Sequence, residues 1–208
     1  MPKTTFGSKP SVLRCSRCGK FVDWEDARLQ IVCGCRSHVE LPPVEVRPAS
    51  DADRAAIATL FQIDFGRSKP VTVTFSEELQ GSSMPALVAD MDGELAGALA
   101  YRLLDDRLQI VALATHPEWQ RSGVGAQLVD YAESVARDAG STRVVVTTTN
   151  DNLPALYFYQ RRGYRLTEVR TDAISAAGGP TDVVGFGGIL MRDQFRLEKA
   201  IAPARAPG

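Results

Sequence analysis

Three apolar runs joined by two-residue turns constrain this chain more than any other feature. Ala86 to Met91, Glu94 to Leu104 and Arg107 to Thr115 read as strands. Asp92-Gly93, between the first two, is a strong hairpin signal, because glycine supplies the positive φ that a tight turn requires. Asp105-Asp106 turns the chain again. Neighbouring strands linked this tightly imply an antiparallel meander. Within the third run, Leu108, Ile110, Ala112 and Ala114 recur every second residue and are expected on one face.

The flanking segments alternate between helix and strand patterns. Val44 to Arg47 alternates as an opening strand. Ser50-Asp51-Ala52-Asp53 resembles a helix cap ahead of the apolar stripe Ala56, Ile57, Leu60 and Phe61. Residues 66–83 are poorly patterned. After His116-Pro117-Glu118-Trp119, a loop from Gln120 to Gly125 opens a helix that runs to about Ala139, and Gly140 stops it. Arg143 to Thr149 is a β-branched run suited to a buried strand. A helix over Leu153 to Arg162 tolerates Pro154 in its first turn and ends at Gly163. Tyr164 to Arg170 and Gln194 to Ile201 supply the last strands, and residues 172–188, rich in Gly and Ala, read as a loop. The expected fold is α/β (α+β), with a mixed, mostly antiparallel sheet flanked by helices.

The chain has 208 residues, 44% of them hydrophobic, enough for one sizeable core and a small extra module. Leu41-Pro42-Pro43 reads as a stiff boundary. Three segments follow: a cysteine-rich module over 1–42, the α/β domain over 43–201, and a low-complexity tail over 202–208. The formal net charge of −1 gives no global pull towards nucleic acid or an anionic membrane. No apolar run approaches the ~20 residues of a spanning helix. Met1 to Pro10 lacks the apolar segment of a signal peptide, so the expected compartment is the reducing cytoplasm.

All four cysteines fall in one stretch: Cys15-x-x-Cys18-Gly19, then Cys33-x-Cys35. In a reducing compartment such clustering points to a metal rather than to disulfides. The pattern is similar to a zinc ribbon, in which two knuckles pin a small sheet, here around Leu29 to Val32. A module this short needs a metal to hold it together. The second half has one intervening residue instead of two, so His38 is an alternative to Cys35 as fourth ligand. Arg14, Arg17, Lys20 and Arg28 against Asp23, Glu25 and Asp26 make a mixed surface. That favours a protein contact or a structural role over a nucleic-acid groove.

The chemistry centres on Gln120-Arg121-Ser122-Gly123-Val124-Gly125. Two glycines one residue apart let the backbone curl, and the start of a helix presents bare N–H groups and partial positive charge. A pyrophosphate fits such a cradle; a plain strand-to-helix turn uses the same glycines. The spacing matches neither a P-loop nor a dinucleotide fingerprint.

Gln120-x-x-Gly123-x-Gly125 after a strand resembles the acetyl-CoA loop of the GNAT superfamily of N-acetyltransferases. Asn152-x-x-Ala155-x-x-x-Tyr159-x-x-x-Gly163-Tyr164, one strand downstream, is similar to that superfamily's second motif. The element order from Val44 to Ile201 fits as well, over about three quarters of the chain. The run from Thr148 to Tyr164, with Ile189 to Asp193 near the end, looks like one little-characterised bacterial branch.

The resemblance implies acetyl transfer from acetyl-CoA to a primary amine of a small molecule or protein. It places pantetheine on Leu113, Ala114 and Thr115. The pyrophosphate falls on Arg121, Ser122, Gly123, Val124, Gly125 and Ala126 behind Gln120, and Asn152 and Ala155 lie near the pantetheine arm. Asn152 also suits a helix N-cap. Tyr159 corresponds to the general acid that protonates the departing thiolate; phenol and thiol have comparable pKa values. Gln109 occupies the position where a carboxylate base often stands, and glutamine cannot accept a proton. Asp105, Asp106, Glu118 and His116 are nearby, and the base is left unassigned. Gln109 therefore keeps an alternative open: a CoA-binding sensor or adaptor whose cysteine module is the working part. The sequence is compatible with a homodimer as well as a monomer.

Overall fold

The computed structural model describes residues 12–14, 21–23, 44–65, 84–91, 93–120, 122–179 and 181–202. Two short strands, β1 (Val12–Arg14) and β2 (Phe21–Asp23), pair antiparallel with Leu13 opposite Val22. The cysteines and the stretch from Leu29 to Val32 lie outside the described residues.

The main sheet is built from β3 (Glu45–Pro48), β4 (Ala86–Met91), β5 (Glu94–Leu104), β6 (Arg107–Thr115), β7 (Arg143–Thr149), β8 (Arg165–Arg170) and β9 (Gln194–Ala200). Its order is β3-β4-β5-β6-β7-β9-β8. The expected meander is present: Met91 pairs with Glu94 across the turn, and Gly93 has φ +80°. Only β6 and β7 pair in parallel. The last strand inserts between β7 and β8, antiparallel to both.

Helices α1 (Arg54–Phe65), α2 (Val124–Asp138), α3 (Leu153–Arg161) and the short α4 (Ala173–Ala176) complete the fold. Ser50 caps the approach to α1: its N–H donates to the Asp53 carboxylate at 2.7 Å. Arg47 on β3 bonds that carboxylate at 2.8 Å and Asp90 on β4 at 3.0 Å, tying strands to helix. Gly140, at φ +75°, ends α2 as its sequence position required.

Two apolar clusters sit on opposite faces of the sheet. On one, Ile57, Leu60 and Phe61 of α1 rest on Val88, Ala98, Ala100, Ala112 and Ala114. On the other, Leu99, Leu108, Ile110, Val144 and Leu197 lie under Val124, Leu128 and Ala132 of α2 and Tyr159 of α3. Gly97 brings α2 down close: a Cβ there would meet Val124 Cγ1 at 2.6 Å and the Ala114 carbonyl at 3.1 Å.

The expectation that Leu108, Ile110, Ala112 and Ala114 share a face is corrected. Ala100 pairs with Ala112, but its neighbour Tyr101 pairs with Ile110, so Val111 is an extra residue in β6. This bulge reverses the alternation. Leu108 and Ile110 face α2, whereas Ala112 and Ala114 face α1.

Residues 172–188 are also more ordered than a loop. They hold α4, a bridge between Val184 and Leu190, and a 3-10 turn over Phe186–Gly188. The order comes from bonds to the stretch that follows: Ile174 N–H donates to the Arg192 carbonyl at 3.0 Å, Met191 N–H to the Val183 carbonyl at 2.9 Å, and Asp172 N–H to the Asp193 carboxylate at 2.9 Å. Asn150 braces that stretch: its Oδ1 accepts from the N–H groups of Arg192 and Asp193, both at 2.9 Å, and its Nδ2 donates to the Leu190 carbonyl. Among the described residues, no helix is long and apolar enough to cross a membrane.

Candidate active site

The bulge at Val111 positions the site. Because the alternation reverses there, Leu113 and Thr115 turn towards α2 instead of α1. Parallel pairing of β6 with β7 runs from Arg107–Arg143 to Ile110–Val146 and ends there. Beyond it β6 stays paired with β5 as far as Thr115, and β7 stays paired with β9 as far as Thr149. The two central strands therefore part, and the edge of residues 111–115 has no strand against it among the described residues. Such an edge offers backbone donors and acceptors to an extended amide-bearing chain.

The start of α2 closes one end of this gap. Gly123 stands at φ +91°, where a side chain would be strained, and no side chain caps the helix. The first bond of the helix runs from Gln127 N–H to the Gly123 carbonyl at 3.1 Å. The amides of Val124, Gly125 and Ala126 precede any such carbonyl, so they point out of the helix start. Ser122 differs: its N–H and hydroxyl both donate to the Trp119 carbonyl, so it braces the turn. Gln120 is exposed and extended, and Arg121 lies outside the described residues.

Gly125 looks into the gap. A Cβ there would sit 3.5 Å from Thr115 Oγ1, 3.8 Å from the Phe158 ring and 3.9 Å from Leu113 Cδ2. Strand β6, the start of α2 and α3 thus converge on one spot. Phe158 is a residue the sequence analysis did not single out. Its signal was helical spacing: Ala155, Phe158 and Arg162 stand three and seven positions along one face. The Arg162 guanidinium lies 5.6 Å from the Phe158 ring centroid and pairs with Asp130 of α2.

Tyr159 is buried, 4% exposed, with edge-on contacts to Phe158 and Tyr164. Burial pushes its phenol above the usual tyrosine value, and Arg162 pulls the other way. Burial thus moves the phenol above the parity with a thiol that its ordinary value implies. The phenol holds its proton firmly at neutral pH, as a donor must. Tyr157, by contrast, is 64% exposed. Asn152 caps α3, its Oδ1 accepting from Ala155 N–H at 3.2 Å.

The candidate bases scatter. His116 Nδ1 accepts from Glu118 N–H at 3.4 Å and caps the turn over Pro117–Trp119. Asp106 is an ion-pair partner of Arg107 and Arg143 at the far end of β6, and Asp105 is exposed in the same turn. Gln109 lies on the face opposite α2. Among the described residues, no group of three or more His, Cys, Asp or Glu is placed to hold a metal.

The acetyltransferase (GNAT) family model matches residues 54–164, from α1 through α2 to Tyr164. The chain belongs to the GNAT acetyltransferase family. As a member it is an acyl-CoA-dependent acetyltransferase. The uncharacterized protein YdhI of Bacillus subtilis is 33% identical over 112 residues, covering 52% of this chain and 69% of the relative. The acetyltransferase of Bacillus subtilis in complex with CoA superposes with a TM-score of 0.65 at 22% identity, over 77% of this chain and 100% of the other. A GNAT family acetyltransferase from Elizabethkingia anophelis with acetyl-CoA bound gives 0.61 at 20% identity, over 76% and 98%. At such identities the two structures establish the shared fold.

Proposed function

We propose that the enzyme transfers acetyl from acetyl-CoA directly to a primary amine, with the cosubstrate laid along Leu113, Ala114 and Thr115. The observation that carries this reading is the parting of β6 and β7 at Ile110, with Gly125, Leu113, Thr115 and Phe158 converging beside it. The pyrophosphate sits on the amides of Val124, Gly125 and Ala126, aided by Arg121, where the helix end favours negative charge. Ala155 and the remaining Nδ2 donors of Asn152 flank the pantetheine arm.

The amine nitrogen attacks the thioester carbonyl carbon, a tetrahedral oxyanion forms, and the C–S bond breaks on its collapse. The ammonium form of the acceptor releases one proton to solvent before attack. Tyr159 supplies the proton that the departing thiolate takes and recovers one from the nitrogen as the amide forms, while Arg162 offsets the transient charge on the phenol. The products are the N-acetylated amine, CoA thiol and one proton. Titration calorimetry with CoA, together with thiol release from acetyl-CoA on an amine panel, tests the reading. Absence of CoA binding would sink it. Binding without turnover on any amine would favour the sensor, which Gln109 supports.

We also propose zinc at Cys15, Cys18, Cys33 and Cys35, in a module ending near residue 42. The antiparallel pair β1–β2 supports this, because it brackets residues 15–20 and so sets Cys15-x-x-Cys18-Gly19 between paired strands. Native mass spectrometry should find stoichiometric zinc, lost in Cys15→Ser/Cys18→Ser.

A further inference from the structure

A second cavity opens on the face of the sheet away from α2 and α3. Alternation fixes that placement: Leu108, Ile110, Val144, Val146 and Leu197 are buried under those helices, so Gln109, Val145, Thr147 and Arg196 project to the other side. The cavity, about 140 Å³, spans four strands and sits where β6 and β7 begin to part. Gln109 and Val145 are paired just before the split, and Thr147 stands just after the last pair. An acceptor entering here approaches the gap from the side opposite the cosubstrate.

The charge of the lining is one-sided. Arg107, Arg170 and Arg196 face one carboxylate, Glu168. Asp106 and Glu198, outside the lining, pair with Arg107 and Arg196. These pairings leave donors over. Arg170 bonds Glu168 through Nε at 2.6 Å, which keeps its two terminal nitrogens. Arg196 is more committed: its buried Nε lies 2.8 Å from Glu198 Oε1 and its Nη1 3.8 Å from Glu168 Oε2, which leaves the other terminal nitrogen. Glu168 is held below the usual carboxylate range by its hydrogen bond from Arg170, so it suits holding guanidiniums in place and not removing a proton.

Resting on the acetyl-transfer reading, we propose that this cavity binds the anionic end of the acceptor: an amine carrying a carboxylate or phosphate group. The anion lies against Arg170 and Arg196, whose planar forks match an oxyanion, and the amine reaches towards the split past Gln109 and Thr147.

The test compares kcat/KM for amino acids, their amides and aminoalkylphosphonates, in the wild-type chain and in Arg170→Gln and Arg196→Gln. Melting curves with each ligand run alongside. The acid should exceed its amide by about tenfold or more, and each substitution should cut that ratio by a similar factor. The phosphonate arm tells which anion is preferred. Arg170 is exposed, so its variant remains informative if Arg196→Gln fails to fold. Equal rates for acid and amide, or a ratio unmoved by Arg170→Gln, overturn the proposal and leave acetyl transfer standing. A melting shift given by acids but not amides and lost in Arg170→Gln, with no thiol release on any amine, upholds the anion site and overturns acetyl transfer.

Discussion

The two halves of the sheet are built differently. The half from β3 to β6 is packed on both faces: α1 lies on small alanines on one side, and α2 lies on Leu87, Ala89 and Leu99 on the other. Among the described residues, the half from β7 to β8 has helices on one face only. Its other face carries Thr147 and a mesh of ion pairs among Arg143, Glu168, Arg170, Arg196 and Glu198. The first half is a platform whose stability comes from apolar burial. The second keeps its polar face available for a ligand, and the seam between them is where the strands part. Function collects where the packing rule changes, because a site needs both a rigid wall and an open one.

Deleting Val111 is the severest way to break the contrast. The deletion leaves Leu113 and Thr115 facing α2 but removes the kink and extra twist that the bulge adds beside the split, and CoA affinity measured by calorimetry should fall about tenfold or more. Leu128→Ala removes a fully buried side chain of α2 over the doubly packed half; denaturant unfolding should show a loss of about 2–5 kcal/mol. Tyr159→Phe should lower kcat by about 10²-fold or more with little change in CoA affinity, read by steady-state kinetics and calorimetry.

Smaller effects sharpen the comparison. The Arg47 hydrogen bond holds Asp53 well below the usual aspartate range. A depressed folded pKa stabilises above the unfolded value, and that stability is lost as the pH falls. The melting temperature should therefore drop below about pH 4, and Asp53→Asn should remove part of that dependence, on the order of 1 kcal/mol for this partly exposed pair. Thr147→Val, on the open polar face of the second half, should move stability by no more than about 0.5 kcal/mol in the same unfolding assay.

Much was legible before any coordinates. Turn residues placed the meander, Gly123 placed the turn that opens α2, and Asn152 announced its cap on α3. These signals are local, set by φ preferences and by hydrogen bonds a few residues apart. Phe158 was passed over because its role depends on which face of α3 meets Gly125. Residues 172–188 looked like a loop because their order comes from bonds to residues 189–193, which Asn150, more than 20 residues upstream, braces.

The sequence by itself determined where strands, helices and the turn at Gly123 begin and end, since those choices rest on backbone and side-chain preferences within one or two turns. Only the tertiary structure decided that Val111 is an extra residue, that β6 and β7 separate after Ile110, and that β9 lies between β7 and β8. Those are decisions about partners. Strand alternation is the same whichever neighbour a strand finds, and a bulge exists only relative to the strand it is paired with.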